Sequence, residues 1–323
     1  METLVGNNCN QARLLLEKGE VVAIPTETVY GLAANGLNEL AIHKIFEAKG
    51  RPLSNPLILH FSSKQAINPY VLDLPPILEK LADFFWPGPL TLLLNKTSLV
   101  PEIVTAGLDR VGIRVPAQPL IRELLEILSF PLAAPSANLY GMVSPTQAVH
   151  VLNQLQGKIP YILDGGACEN GIESTIVGLD NEQLIVYRLG GISLEQLENV
   201  IGYRPPIKNH TENQPLTSGM VKHHYAPNTP FAYLETDFVF EEDKNDGFIL
   251  LKDNRPEIPY TQKHILTQTG DLKEAAQKLY AAIHFMDQKH YSKLFIERFE
   301  EVGLGISMND RLNRATKKFE KLR

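Results

Sequence analysis

Cysteine is nearly absent from this chain. Only Cys9 and Cys168 occur among its 323 residues, too few for a disulfide framework and without a metal-ligand spacing. Both are expected as reduced thiols. Long apolar runs are missing too: none approaches the roughly 20 residues that cross a bilayer. Residues 1–10 lack the basic start and apolar centre of a signal peptide, so a cytoplasmic location with no membrane partner is expected. Positive charge is in short supply, with 31 Lys+Arg against 37 Asp+Glu and a net charge of −6. Proteins that grip nucleic acid usually carry a basic surplus or stripe, so no strong direct nucleic-acid binding is expected. There is no G-x-x-x-x-G-K-S/T phosphate loop, no H-E-x-x-H and no G-x-S-x-G elbow. His223 and His224 are adjacent, but neighbours point apart and no third ligand has a fitting spacing. No protein metal site is expected.

What remains is an ordinary globular composition, 44% hydrophobic and 21% charged, long enough for two domains. Short apolar runs at 21–24, 57–61, 90–94, 111–115, 132–134, 161–163, 175–177 and 184–187 read as strands. Helical spacing falls between them at 9–18, 40–48, 76–85, 120–128 and 146–155. In the first helix Gln11, Leu14 and Leu15 are expected on the core face, with Gly19 ending it. Such alternation predicts an α/β sheet with flanking helices. Only turns separate the runs near 161–187, so a mixed sheet is expected. Residues 1–202 form one unit, and 203–229, rich in proline and without periodicity, read as a linker. Residues 230–323 resume the alternation as a smaller α/β domain, ending in a helix from Asn309.

Five stretches carry chemistry. Pro25-Thr26-Glu27-Thr28-Val29-Tyr30-Gly31-Leu32 puts hydroxyls at a strand end; Thr26, Thr28 and Tyr30 share a side if the strand continues. A threonine-rich strand edge reads the same way. Lys49 and Arg51 follow a helix end, placed either to hold phosphate or to complement the macrodipole. Arg114 sits in an apolar strand, where it faces with Gly112 away from Val111, Ile113 and Val115. A bound carboxylate or an internal ion pair would satisfy it equally. Ser136 and Asn138 leave a strand among small residues, and Ser144-Pro145 reads as a helix start with Ser144 as N-cap. Last, Ser174 opens a strand whose hairpin partner ends at Arg188. Arg311, Arg314, Lys317, Lys318, Lys321 and Arg323 crowd the C-terminus, as a solvated helix face or a nucleic-acid patch.

In this order the motifs resemble the YrdC/Sua family of L-threonylcarbamoyl-AMP synthases. The likeness runs through residues 25–32, Lys49 and Arg51, Trp86-Pro87-Gly88-Pro89-Leu90-Thr91, Ser136 and Asn138, residues 173–177, and Arg188. His224-Tyr225-Ala226-Pro227, Gly303-Leu304-Gly305 and Asn309-Asp310-Arg311-Leu312 resemble the longer, two-domain branch. Ala226 departs from the serine common there. The resemblance implies a YrdC-like twisted mixed sheet with flanking helices plus a smaller C-terminal Rossmann-like α/β domain. It implies a nucleotidyltransferase making threonylcarbamoyl-AMP and pyrophosphate from L-threonine, bicarbonate or CO2, and ATP with Mg2+. The product would pass to a separate transferase complex that modifies the adenosine beside the anticodon of tRNAs reading codons that begin with A. Implied threonine-site residues are Thr28, His60, Arg114, Ser136 and Ser174. Arg51, Asn55, Asn138, Ser144 and Arg188 would hold ATP, with Lys49 and Arg51 catalytic and Tyr225 closing over the nucleotide as part of a lid. A rival is an RNA-binding module of the same fold without synthase activity. A carbamoyl-adenylating domain of hydrogenase maturation fits less well, since its companion zinc fingers need more cysteines.

Overall fold

Side-chain oxygens decide where several helices begin. Asn8, Asn38, Ser193 and Asp271 each accept a bond from the backbone N–H three residues on, a cap worth about 1 kcal/mol. The computed structural model describes residues 1–208 and 225–320. Its first part runs β1 (Leu4–Gly6), α1 (Cys9–Glu17), β2 (Val22–Ile24), β3 (Gly31–Asn35), α2 (Glu39–Lys49), β4 (Ile58–His60), α3 (Pro76–Phe85), β5 (Leu90–Asn95), α4 (Glu102–Thr105) and β6 (Arg110–Arg114). It continues with α5 (Pro119–Glu126), β7 (Leu132–Ala133), α6 (Ala148–Leu155), β8 (Tyr161–Leu163), β9 (Thr175–Asp180), β10 (Gln183–Arg188) and α7 (Leu194–Ile201). The second part holds β11 (Phe231–Tyr233), β12 (Asp246–Leu250), β13 (Lys263–Ile265), α8 (Leu272–Asp287), β14 (Lys293–Ile296) and α9 (Leu304–Glu320).

Among the described residues, β1 to β10 form one sheet in the order β1-β8-β2-β3-β7-β4-β6-β5-β9-β10. Pairs such as β4 with β6 are parallel, and β5 with β6 antiparallel, so the sheet is mixed. On one face Leu32, Leu59, Ile113, Leu92 and Val177 join Ile42, Ile45 and Leu81 of α2 and α3 in the main core. The other face carries two smaller clusters. One packs Ile24, Leu132 and Ala134 against α1 and α5; the other gathers Ile58, Leu93, Ile176 and Tyr187. The second domain is a parallel sheet in the order β11-β14-β12-β13.

Some local expectations fail for identifiable reasons. α1 buries Cys9, Ala12 and Leu16, while Leu14 is about half exposed. α6 starts at Ala148, not after Ser144, because Ser144 and Pro145 are engaged elsewhere: the Ser144 hydroxyl donates to Glu173 and the Pro145 carbonyl accepts from Tyr30. α9 begins at Leu304, so the Gly303-Leu304-Gly305 stretch is a helix start. Arg311 and Arg314 are 1% and 4% exposed, which removes both from any solvated face or nucleic-acid patch. Lys317 and Lys318 are exposed; Lys321 and Arg323 lie outside the described residues.

Candidate active site

The turn after β2 is built by one hydroxyl. Thr26 Oγ1 donates to the Val29 carbonyl at 2.6 Å and accepts from the N–H groups of Thr28 and Val29. Threonine in a turn bonds neighbouring backbone in this way. The folded turn leaves Thr26 and Thr28 Oγ1 2.8 Å apart. It also sends Tyr30 elsewhere: its hydroxyl donates to the Gly166 carbonyl and to Asp164. The strand has ended, so alternation no longer places Tyr30 beside the threonines.

A cavity of about 40 Å3 opens between the two smaller apolar clusters, lined by Thr26, Thr28, Gly31, Arg51, Ile58, His60, Arg114, Ser136, Glu173, Ser174, Arg188 and Tyr225 among others. Register explains the convergence. His60 and Arg114 are paired at the ends of parallel strands, and Thr91 opposes Arg114. Thr91 in turn lies 2.7 Å from Ser174, hydroxyl to hydroxyl. Arg188, at the end of β10, donates through Nε to the Ser174 carbonyl and through Nη2 to its hydroxyl, both at 2.9 Å.

Three buried guanidiniums therefore face a cavity walled by hydroxyls. Burial pulls Arg51 and Arg188 down to about 10, so both stay charged at neutral pH. Arg114 donates to Glu27 at 2.7 Å with both side chains buried, which realises the internal ion pair. Its Nε is nevertheless buried without a partner. His60 is held neutral, pushed down to about 3 by burial and then by Arg114.

Lys49 and Arg51 part company. Gly50, at φ +60°, takes the left-handed conformation that ends α2, and the chain reverses between the cations. Arg51 reaches the carbonyl of Pro56 at 3.1 Å and lines the cavity. Lys49 turns away and donates to the carbonyls of Ser136 and Asn138. Burial, with Arg51 adding to it, holds its pKa well below the usual lysine value. Asn55, Asn138 and Ser144 are buried beside the cavity rather than lining it. Asn55 donates to Tyr140 at 3.1 Å, Asn138 to the carbonyls of Leu139 and Met142, and Ser144 to Glu173 at 2.7 Å. The Oδ1 atoms of Asn55 and Asn138 have no partner.

Sequence reasoning left Thr26 and Glu173 out of the site, though both line the cavity, and did not name Glu27 as the buried partner of Arg114. Each stands inside a motif already singled out, and the signal was a polar residue at the mouth of an apolar strand. His223 and His224 lie outside the described residues. Among the described residues, no group of three His, Cys, Asp or Glu stands close enough to hold a metal, and no helix is long and apolar enough to cross a membrane.

Residues 14–190 match the Sua5–YciO–YrdC domain, described as telomere recombination, and residues 192–316 match the C-terminal domain of threonylcarbamoyl-AMP synthase. The chain belongs to this family. A threonylcarbamoyl-AMP synthase of Pyrococcus abyssi (strain GE5 / Orsay) is 38% identical over 93% of this chain and 92% of its own. That of Bacillus subtilis (strain 168) is 38% identical over 94% and 92%. The crystal structure of P. abyssi Sua5 complexed with L-threonine superposes with a TM-score of 0.89 at 36% identity, covering 98% of both chains. The family is thus present in its long, two-domain form. The matched domains meet close to the turn between Arg188 and α7, where the large sheet ends.

Proposed function

We propose that the cavity makes threonylcarbamoyl-AMP and pyrophosphate from L-threonine, ATP and bicarbonate or CO2. The observation that carries this reading is three buried guanidiniums around one small, hydroxyl-walled cavity, at the place where the family's motifs converge. The threonine carboxylate and the triphosphate of ATP both bring negative charge to such a wall. The P. abyssi relative whose structure holds L-threonine covers nearly the whole chain, and threonine is assigned here too. Its carboxylate would accept from Arg114 Nε, satisfying a donor that is otherwise buried alone. Thr28, Ser136 and Ser174 offer hydroxyls to the amino acid, and neutral His60 adds a polar edge without a further charge.

The neutral amine of threonine captures CO2 and loses a proton, giving a carbamate. A carbamate oxygen attacks the α-phosphorus of ATP, and pyrophosphate leaves. No covalent enzyme intermediate is needed. Arg51 and Arg188 would meet the charge that builds on the phosphates, the kind of fixed donor whose removal costs about 100- to 1000-fold in rate. Asn55 and Asn138 would serve from just behind the wall, and Lys49 would act through the 136–138 loop that it fastens. Ser144 would act through Glu173, and Tyr225 would cover the nucleotide side. Magnesium would enter on the triphosphate and neutralise part of its charge. The wall suits this, because Glu27 and Glu173 are committed to arginines and the cation would rely on phosphate and water oxygens. The product is a reactive anhydride, to be consumed by a separate transferase that carries the group to tRNA.

The test is mass-spectrometric detection of threonylcarbamoyl-AMP with stoichiometric pyrophosphate, in full and omission mixtures. Product that requires threonine, bicarbonate and ATP together supports the reading. ATP consumption indifferent to threonine overturns it.

A further inference from the structure

Two segments of the chain meet on the Glu173 carboxylate, and a third packs on the residues that hold it. From the first domain, Ser144 donates to Oε1 at 2.7 Å. From the second domain, Arg311 donates through Nε to Oε2 at 2.9 Å, and the Tyr280 hydroxyl donates at 3.1 Å. From the connecting segment, the Tyr225 ring stacks on Tyr280 at 6.0 Å, and the Arg311 guanidinium lies 5.1 Å from its centroid. Tyr225 itself takes a left-handed backbone, φ +66°, a conformation that non-glycine residues hold only when their surroundings enforce it.

The same helix, α9, also grips the far side of the cavity wall. Arg311 Nη2 donates to the Leu189 carbonyl, and Ser307 donates to the Gly190 carbonyl at 3.0 Å. Gly191 N–H then donates to the Glu173 carbonyl at 2.9 Å. A Cβ at Gly190 would stand 2.4 Å from that carbonyl oxygen, so the 188–191 turn lies directly against residues 173 and 174. Those residues lead into Ser174, the hydroxyl that Arg188 and Thr91 share.

We propose that Arg311 and Tyr280 of the second domain are positioning residues for the active site, acting through Glu173 to place Ser174, Arg188 and Tyr225. This rests on the synthase reading above. A plain tie between domains is the competing role, but apolar packing already provides one. Val29, Val143 and Ile172 of the first domain share a core cluster with Ala276, Leu279 and Ile283 of α8. Buried ion pairs are in general a weak source of net stability beside such packing.

The experiment uses the full chain and three variants: Tyr280→Phe, Arg311→Met, and the double Glu173→Gln/Arg311→Met, which removes both buried charges together. Thermal midpoint, kcat, and KM for threonine and for ATP are measured by pyrophosphate release. A positioning role predicts that the double variant melts within about 4 °C of wild type yet loses about 10- to 100-fold in kcat/KM. Tyr280→Phe is expected to fold normally and to lose several-fold, with kcat and KM affected unequally. Folded variants with wild-type kcat and both KM values overturn the inference. Should Arg311→Met or the double variant not fold, Tyr280→Phe decides, since it removes one oxygen from a side chain that otherwise packs unchanged. A silent wild type with threonine, bicarbonate and ATP present contradicts the synthase reading itself, which is a different outcome.

Discussion

The two domains bury arginine in opposite ways. In the first, Arg51, Arg114 and Arg188 sit in the wall of a cavity and meet chiefly carbonyl and hydroxyl oxygens, with Glu27 beside Arg114. In the second, Arg311 and Arg314 sit among carboxylates: Arg311 is bonded to Glu173 and Asp310, and Arg314 to Asp310. Burial is nearly equal in the two sets. What separates them is where the guanidinium's donors go. Donors spent on fixed carboxylates make a strut, whereas donors turned toward a cavity are positioned to meet anionic substrate.

The contrast gives different expected losses on substitution. Arg311→Met leaves Glu173 buried with its main counter-charge gone, and should lower stability by about 3–5 kcal/mol, read as a shifted urea midpoint. Arg51→Ala should lower kcat/KM by about 100- to 1000-fold with a much smaller change in that midpoint. If the two variants lose stability and activity in the same proportion, the distinction between strut and cavity wall fails. Lys49→Ala lies between them. It orphans the Ser136 and Asn138 carbonyls, which costs about 1–3 kcal/mol, and loosens the loop that carries Ser136. Activity and melting temperature should therefore fall together. A large loss of rate with unchanged melting would instead put the Lys49 ammonium in direct contact with substrate.

A smaller effect concerns pH. Burial holds His60 and His150 at about 3 and His284 at about 4. In the unfolded chain they titrate near 6.5, so the unfolded state binds more protons below that pH. Stability should fall as pH drops from about 6.5 toward 4, by up to about 1.4 kcal/mol per pH unit for each imidazole. His150 and His284 stack at 4.2 Å between α6 and α8, so this loss includes the domain interface. Glu173, where burial raises the pKa but Arg311 and Arg188 outweigh it and hold it at about 2, adds its own loss only below about 4.5. Urea titrations at pH 7.5, 6, 5 and 4 check the order. Flat stability across that range would mean the histidines are not buried as neutral groups.

Much of the first domain was legible because polar residues interrupt apolar strands there. Arg114 in a valine and isoleucine strand, and Ser174 at a strand mouth, are conspicuous without any structure. The mixed sheet followed from runs too closely spaced for crossovers. The strands Leu4–Gly6, Gly31–Asn35, Phe231–Tyr233 and Lys263–Ile265 escaped notice: three of them are only three residues long, and Gly31-Leu32-Ala33-Ala34-Asn35 is poor in β-branched and aromatic residues. The role of the C-terminal helix was not legible at all. Glu173 and Arg311 lie 138 residues apart, and a run of cations on a helix looks solvated until the fold supplies carboxylates from elsewhere. Ser144-Pro145 misled for a related reason. Its local pattern is that of a helix cap, and a distant carboxylate took the hydroxyl instead.

The most direct test is a crystal structure of the protein with L-threonine and a non-hydrolysable ATP analogue. The expected result places the threonine carboxylate within hydrogen-bond reach of Arg114, and the triphosphate against Arg51 and Arg188 in the same cavity. Density for either ligand elsewhere, with those three arginines untouched, would contradict the assignment.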